Sequence, residues 1–192
     1  MMRRIIKADS KYTLIELLRL DVLRFYYLSY GNEDQPPQGL RLWLCLLSTR
    51  VAPTLLHRLS HFFFLRRLGV IAKLFSSCNA VLFGIEIASS CQIGPGLFLP
   101  HTQGTVLGAW SIGSNVTIFQ GVTLGARSLD FNPKPATRPT IGNGVTIGAG
   151  AKVLGGIVLG DNCRVGANSV VLSDIPSGSL AVGVPARVIL NS

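Results

Sequence analysis

Aliphatic residues recur at every sixth position through the second half of the chain. Ile141, Ile147, Val153, Leu159, Val165 and Val171 form an unbroken series; Val106, Ile112, Ile118 and Leu124 precede it, and Ile87, Ile93 and Leu99 come before those. Gly94, Gly113, Gly142, Gly148, Gly160 and Gly166 directly follow an aliphatic member. A fixed short period marks a repeat architecture. Six residues cannot hold a helix–turn–helix unit. They fit one short strand and a tight corner, with the aliphatic side chain inward and Gly or Asn at the bend. Three such faces close one coil of a parallel β-helix, so the chain is expected to be mainly β from residue 86 onward.

The period breaks twice, and breaks in a regular solenoid are where function concentrates. One extra residue lies between Leu99 and Val106, next to His101. A longer gap separates Leu124 from Ile141, and Pro133, Pro135 and Pro139 within it predict a loop over 125–140.

The pattern before residue 86 is helical. Leu14, Leu17, Leu18, Val22 and Phe25 fall at helical spacing and predict a helix over Ser10–Tyr30, stopped by Gly31. A turn is expected from Asn32 to Gly39, around Asp34, Pro36 and Pro37. Further helices are expected over Leu40–Thr49, from Pro53 to about Leu68, and over Val70–Leu82. The expected organisation is a helical region, 1–85, capping a β-helix domain, 86–192; such a cap covers the open backbone of the first coil.

Charge sharpens this division. The first 85 residues carry twelve Lys and Arg against five Asp and Glu, the remainder six against four. Arg50, Arg58, Arg66 and Arg67 interleave with Trp43, Leu44 and Phe62–Phe64, so peripheral contact with an anionic membrane competes with simple packing of the cap. Charges interrupt every apolar run short of a membrane span, at Arg50 and Glu86, and Lys7, Asp9 and Lys11 break any signal-peptide core. Cys45, Cys78, Cys91 and Cys163 are scattered, which reads as reduced thiols in a cytoplasmic protein. No metal is expected: His57 and His61 are four apart, but Arg58 between them opposes a bound cation. No nucleic-acid partner is expected.

His101 is the only histidine of the repeat region, and a histidine is the usual general base near neutral pH. Glu86 lies fifteen residues earlier; in a coil of about eighteen it would be one turn below and three positions along, a candidate partner for the imidazole.

Several separated segments resemble the serine acetyltransferase family of hexapeptide-repeat acyltransferases: Gly84-Ile85-Glu86-Ile87, His101-Thr102-Gln103-Gly104, Gln120-Gly121-Val122-Thr123-Leu124-Gly125, Gly148 to Gly155, Gly183-Val184-Pro185-Ala186-Arg187, and Arg58-Leu59-Ser60-His61 in the helical part. The resemblance implies a left-handed β-helix, an acetyl-CoA co-substrate and a homotrimer with sites between subunits. It implies His101 as base and Glu86 as its carboxylate partner. Gly125, Ala149 and Ala167 would lie against the pantetheine arm, and Lys152, Arg164 and Arg187 would be candidate contacts for CoA phosphates. Three departures stand out. The family's Asp-His is Pro100-His101 here, its Gly-Glu-Thr is Gly108-Ala109-Trp110, and its Arg-His-Pro is Thr137-Arg138-Pro139. Trp110 and Arg138 then become the candidate acceptor-binding residues. A flatter, less charged acceptor follows, so the leading expectation is O-acetylation of a saccharide or lipid-linked sugar in polysaccharide synthesis. The alternative is serine O-acetylation, and the alternative of another class is a non-catalytic trimeric β-helix module.

Overall fold

The structure, a computed structural model, describes residues 12–31, 38–130 and 134–189. Ser10, the turn residues 32–37 and the signal-peptide question at residues 1–11 lie outside the described residues.

Four α-helices lead the described chain: α1 (Leu14–Tyr30), α2 (Gly39–Leu44), α3 (Ala52–Leu65) and α4 (Gly69–Phe83). Helix α1 starts at Thr13, whose hydroxyl accepts the Glu16 N–H while the Glu16 carboxylate accepts the Thr13 N–H, a reciprocal cap. The expected second helix is shorter than its apolar pattern: α2 ends at Leu44 and a 3₁₀ turn, Cys45–Leu47, follows. Pro53 sits in the first turn of α3, where its missing N–H has no helical partner to lose.

The strands then run β1 (Ile85–Ile87), β2 (Gln92–Ile93), β3 (Thr105–Leu107), β4 (Ser111–Ile112), β5 (Thr117–Ile118), β6 (Thr123–Gly125), β7 (Thr140–Ile141), β8 (Thr146–Ile147), β9 (Lys152–Leu154), β10 (Val158–Leu159), β11 (Arg164–Val165), β12 (Val170–Val171), β13 (Leu180–Gly183) and β14 (Ala186–Ile189). They form three sheets: β1-β3-β6-β9-β12, β2-β4-β7-β10, and β5-β8-β11-β13-β14. All pairings are parallel except β13 with β14, a closing hairpin. Chain order passes from one sheet to the next, which is a β-helix with three flat faces.

The six-residue series is the core. Ile87, Leu99, Ile118, Leu124, Ile147, Val153, Leu159 and Val171 are all 1% exposed or less. A second inward set sits two positions earlier in the repeat: Val116, Val122, Val145, Ala151, Cys91 and Cys163 are fully buried. The two cysteines therefore act as small hydrophobes. Burial pushes the Cys91 thiol up to about 12 and that of Cys163 to about 11.

One assigned position is wrong. Val106 is 37% exposed and Leu107 is fully buried. The break after Leu99 therefore adds two residues, and the next step, Leu107 to Ile112, is one short. A strand inverts its side chains with every residue shifted, so a single extra residue would have turned β3 inside out.

Candidate functional site

Helix α4 and strand β1 are joined at Gly84, which adopts φ +61°; a Cβ there would lie 2.2 Å from the Gln103 side chain. This tight junction folds α4 back over the first face. Between them lies a cleft of about 350 Å³, walled by Lys73, Ser76, Ser77 and Ala80 of α4 and by Glu86, Ala88, Val106, Gly108 and Arg138. The four helical residues are spaced i, i+3, i+4, i+7, one helix face. A cleft of this size falls in the range of small-ligand sites.

Glu86 projects outward from the middle of β1, between buried Ile85 and Ile87. Cross-strand register continues its column up the face through Val106, Thr123, Lys152 and Val170. The first coil is longer than eighteen residues, because Ile87 pairs with Leu107. Glu86 therefore stands opposite Val106, five residues past His101 rather than three. No hydrogen bond links Glu86 and His101 among the described residues. His101 is exposed in the corner that enters β3. Its segment is anchored to the end of α4: the Thr102 hydroxyl donates to the Phe83 carbonyl at 2.7 Å, and the Gly104 N–H donates to the Gly84 carbonyl at 2.9 Å.

The proposed CoA residues divide between the two edges of this face. Gly121 N–H donates to Gln103 O, Gly150 N–H to Gln120 O and Asn168 N–H to Ala149 O. Ala149 and Ala167 thus stack in the same corner column that His101 enters. Gly125 ends β6 at the opposite edge, paired with Leu154, and a Cβ there would meet nothing within 4 Å. That open space suits a thin ligand arm. Lys152 donates its Nζ to the Gly121 carbonyl. Arg164 and Arg187 are exposed, Arg187 on β14 opposite Val182.

The acceptor candidates fare differently. Arg138 lines the cleft but its guanidinium is engaged: Nε donates to Asp130 Oδ2 at 2.9 Å, Nη2 to the Asp130 carbonyl at 3.3 Å and Nη1 to the Gly108 carbonyl at 3.0 Å. It ties Asp130 to Gly108, just past the end of β3. Gly108 permits this approach, since a Cβ there would sit 2.5 Å from Nη1. Trp110 is half-buried, its backbone N–H donating to Pro139 O at 2.8 Å, and it is not among the cleft residues.

Sequence reasoning missed the polar support beneath the cap. Asp21 and Arg58 form a buried ion pair at 3.0 Å; Arg58 also donates to the Ile93 and Gly94 carbonyls, and Asp21 accepts from the Gly96 N–H at 2.7 Å. Arg24 donates to Gly96 O and to Thr117 Oγ1. The available signal was Asp21 inside an apolar helical run. His57 is fully buried and stacks on His61 at 5.9 Å. Burial, then the charges of His61 and Arg58, hold its pKa well below the usual imidazole range. Among the described residues no three His, Cys, Asp or Glu side chains are grouped to hold a metal ion.

A β-helix of six-residue repeats, with an outward acid and a corner histidine in its first coils, defines the class of hexapeptide acyltransferases. Residues 138–173 match the family model described as bacterial transferase hexapeptide (six repeats). The chain is 45% identical over 167 residues to the serine acetyltransferase of Helicobacter pylori strain J99, covering 84% of this chain and 96% of that one. The Neisseria gonorrhoeae serine acetyltransferase structure superposes with a TM-score of 0.81 at 30% identity, over 99% of this chain and 69% of that one. The Brucella abortus serine acetyltransferase in complex with coenzyme A superposes with a TM-score of 0.79 at 30% identity, over 97% and 71%. The chain belongs to the serine acetyltransferase family of acetyl-CoA-dependent O-acyltransferases, and its β-helix is left-handed.

Proposed function

We propose that this chain transfers the acetyl group of acetyl-CoA to the hydroxyl of L-serine. The observation that carries this reading is the match to nearly the whole length of a protein named serine acetyltransferase. It replaces the saccharide as the leading acceptor.

Acetyl-CoA supplies an activated thioester. His101 accepts the proton of the acceptor hydroxyl as its oxygen attacks the thioester carbonyl. Collapse of the tetrahedral intermediate breaks the carbon–sulfur bond, and the imidazolium returns the proton to the leaving thiolate. Glu86 orients the ring and stabilises its charged form, a role that requires the exposed His101 side chain to turn toward the Glu86 column. Backbone N–H groups near Gly125 stabilise the oxyanion. Gly125, Ala149 and Ala167 leave room for pantetheine, and exposed Arg187 meets a phosphate better than Lys152, which is already bonded to Gly121. The protein works as a homotrimer, in the cytoplasm, where its four free cysteines stay reduced.

A saccharide acceptor is the second reading. It is favoured by Pro100, Ala109 and Thr137, which replace charged family residues at the site. A screen of CoA-thiol release with L-serine beside a panel of sugars and nucleotide sugars separates the two. Turnover with L-serine supports the first reading; turnover with sugars alone overturns it.

A further inference from the structure

The Glu86 cleft holds two cations, and they are not equivalent. Arg138 is committed to Asp130 and to the Gly108 carbonyl. Lys73 is exposed on the opposite wall and has no hydrogen bond or ion pair among the described residues. The hydroxyl of neighbouring Ser76 donates to the Ile87 carbonyl at 3.1 Å, so this wall is itself pinned to β1 and the start of the Lys73 side chain has a fixed place. Thr137, next to Arg138, supplies no charge. An acceptor with an anionic group that enters this cleft therefore finds one free positive charge, on α4.

We propose that Lys73 is a specificity-determining residue that binds the carboxylate of the acceptor in the Glu86 cleft. The proposal rests on the acetyl-transfer reading above, with the acceptor held in this cleft beside Glu86, the partner proposed for His101. The acceptor class it selects is a hydroxyl compound bearing a carboxylate, which is met by an amino acid such as serine or by an acidic sugar. An ammonium on a flexible four-carbon stem serves as a point charge for such a group without needing a bidentate fit. Glu86 across the cleft disfavours a second negative charge near the reacting end, so the carboxylate is directed to the Lys73 end. Loss of a charge-assisted contact of this kind weakens binding by about ten- to a hundred-fold.

The test is steady-state kinetics of Lys73→Gln and Lys73→Arg with two matched acceptor pairs: L-serine against serinamide, and glucuronic acid against glucose. With L-serine, Lys73→Gln is expected to raise KM about ten-fold or more and leave kcat unchanged. Serinamide turnover is unaffected, and Lys73→Arg restores most of the affinity. Equal losses for L-serine and serinamide, with a shifted pH profile, overturn the proposal and make Lys73 a partner of Glu86. No change with either acceptor makes it a solvated lysine and also overturns it. If the wild-type protein ignores serine but acetylates sugars, the serine reading fails on its own. Lys73 is then judged on the sugar pair: a loss confined to glucuronic acid supports it, and equal or absent losses overturn it.

Discussion

His101 and His57 show how one residue type takes opposite tasks from its surroundings. His101, the base proposed for acetyl transfer, is exposed at a corner. Its replacement by Ala is expected to lower acetyl transfer by about 10²–10⁴-fold, with Glu86→Gln costing less, and both variants should retain the wild-type melting temperature. His57 is buried, and the only polar group set toward its ring among the described residues is the backbone of Cys91, which offsets little of the burial. Its pKa in the folded protein lies below the ordinary value of 6.5. Below about pH 6.5 the unfolded chain takes up a proton that the folded cap resists, so stability falls as pH drops through that value and is fully present above it. The groups facing it are His61 and Arg58, both on α3, and Cys91. Thermal melts from pH 7.5 to 5.5 should show a declining midpoint in the wild-type protein and a flatter profile in His57→Phe.

At the scale of elements, the cap is fixed to the β-helix by charge as well as by apolar contact. Asp21 on α1 and Arg58 on α3 meet over the first coil, and Arg58 reaches the carbonyls of Ile93, the last residue of β2, and of Gly94 after it. Removing one member leaves a buried, uncompensated charge. Arg58→Met is expected to destabilise the protein by about 3–5 kcal/mol, and the double variant Asp21→Leu/Arg58→Met should recover much of that loss. Denaturant titration of the two variants measures the difference. The same elements explain the boundaries that the apolar pattern misjudged. Thr13 and Glu16 start α1 by capping each other, whereas Leu40 to Thr49 has the composition of one helix but lacks any side-chain cap at Gln38.

At the scale of the molecule, apolar side chains remain outside. Val106, Val158 and Leu172 are exposed on the β-helix, and Val70, Leu74 and Val81 are exposed on α4. Val70, Leu74, Ser77 and Val81 follow a four–three–four spacing, the seam of a helix that packs on another helix. These surfaces fit contacts between copies, and light scattering at micromolar concentration should give a trimer mass. A stable monomer would sink the shared site. A membrane surface suits the same residues less well. Helix α4 carries one cation, Lys73, α2 has only six residues, and no helix among the described residues is long and apolar enough to cross a membrane. Co-sedimentation with anionic vesicles at low salt should leave the protein in the supernatant.

The repeat was legible in the sequence because each coil reads locally: an inward aliphatic residue every sixth position is a property of one strand and one corner. That is enough to place Ile87, Ile118, Leu124, Ile147 and Leu159 in the core, to mark the longer break between Leu124 and Ile141, and to make His101, beside the first break, and Glu86 candidates for the chemistry. The register across the first break was not legible, since one added residue puts Val106 inside and two put Leu107 inside, and both are aliphatic. Nor were the partners of the charged residues. Arg138 turned to Asp130 and Gly108, Lys152 to Gly121, and Arg58 to a residue thirty-seven positions earlier. Lys73 was left facing Glu86 across a cleft. Such pairings are decided by which surfaces the coils and the cap bring together, and a linear pattern records only what each residue is, not what it meets.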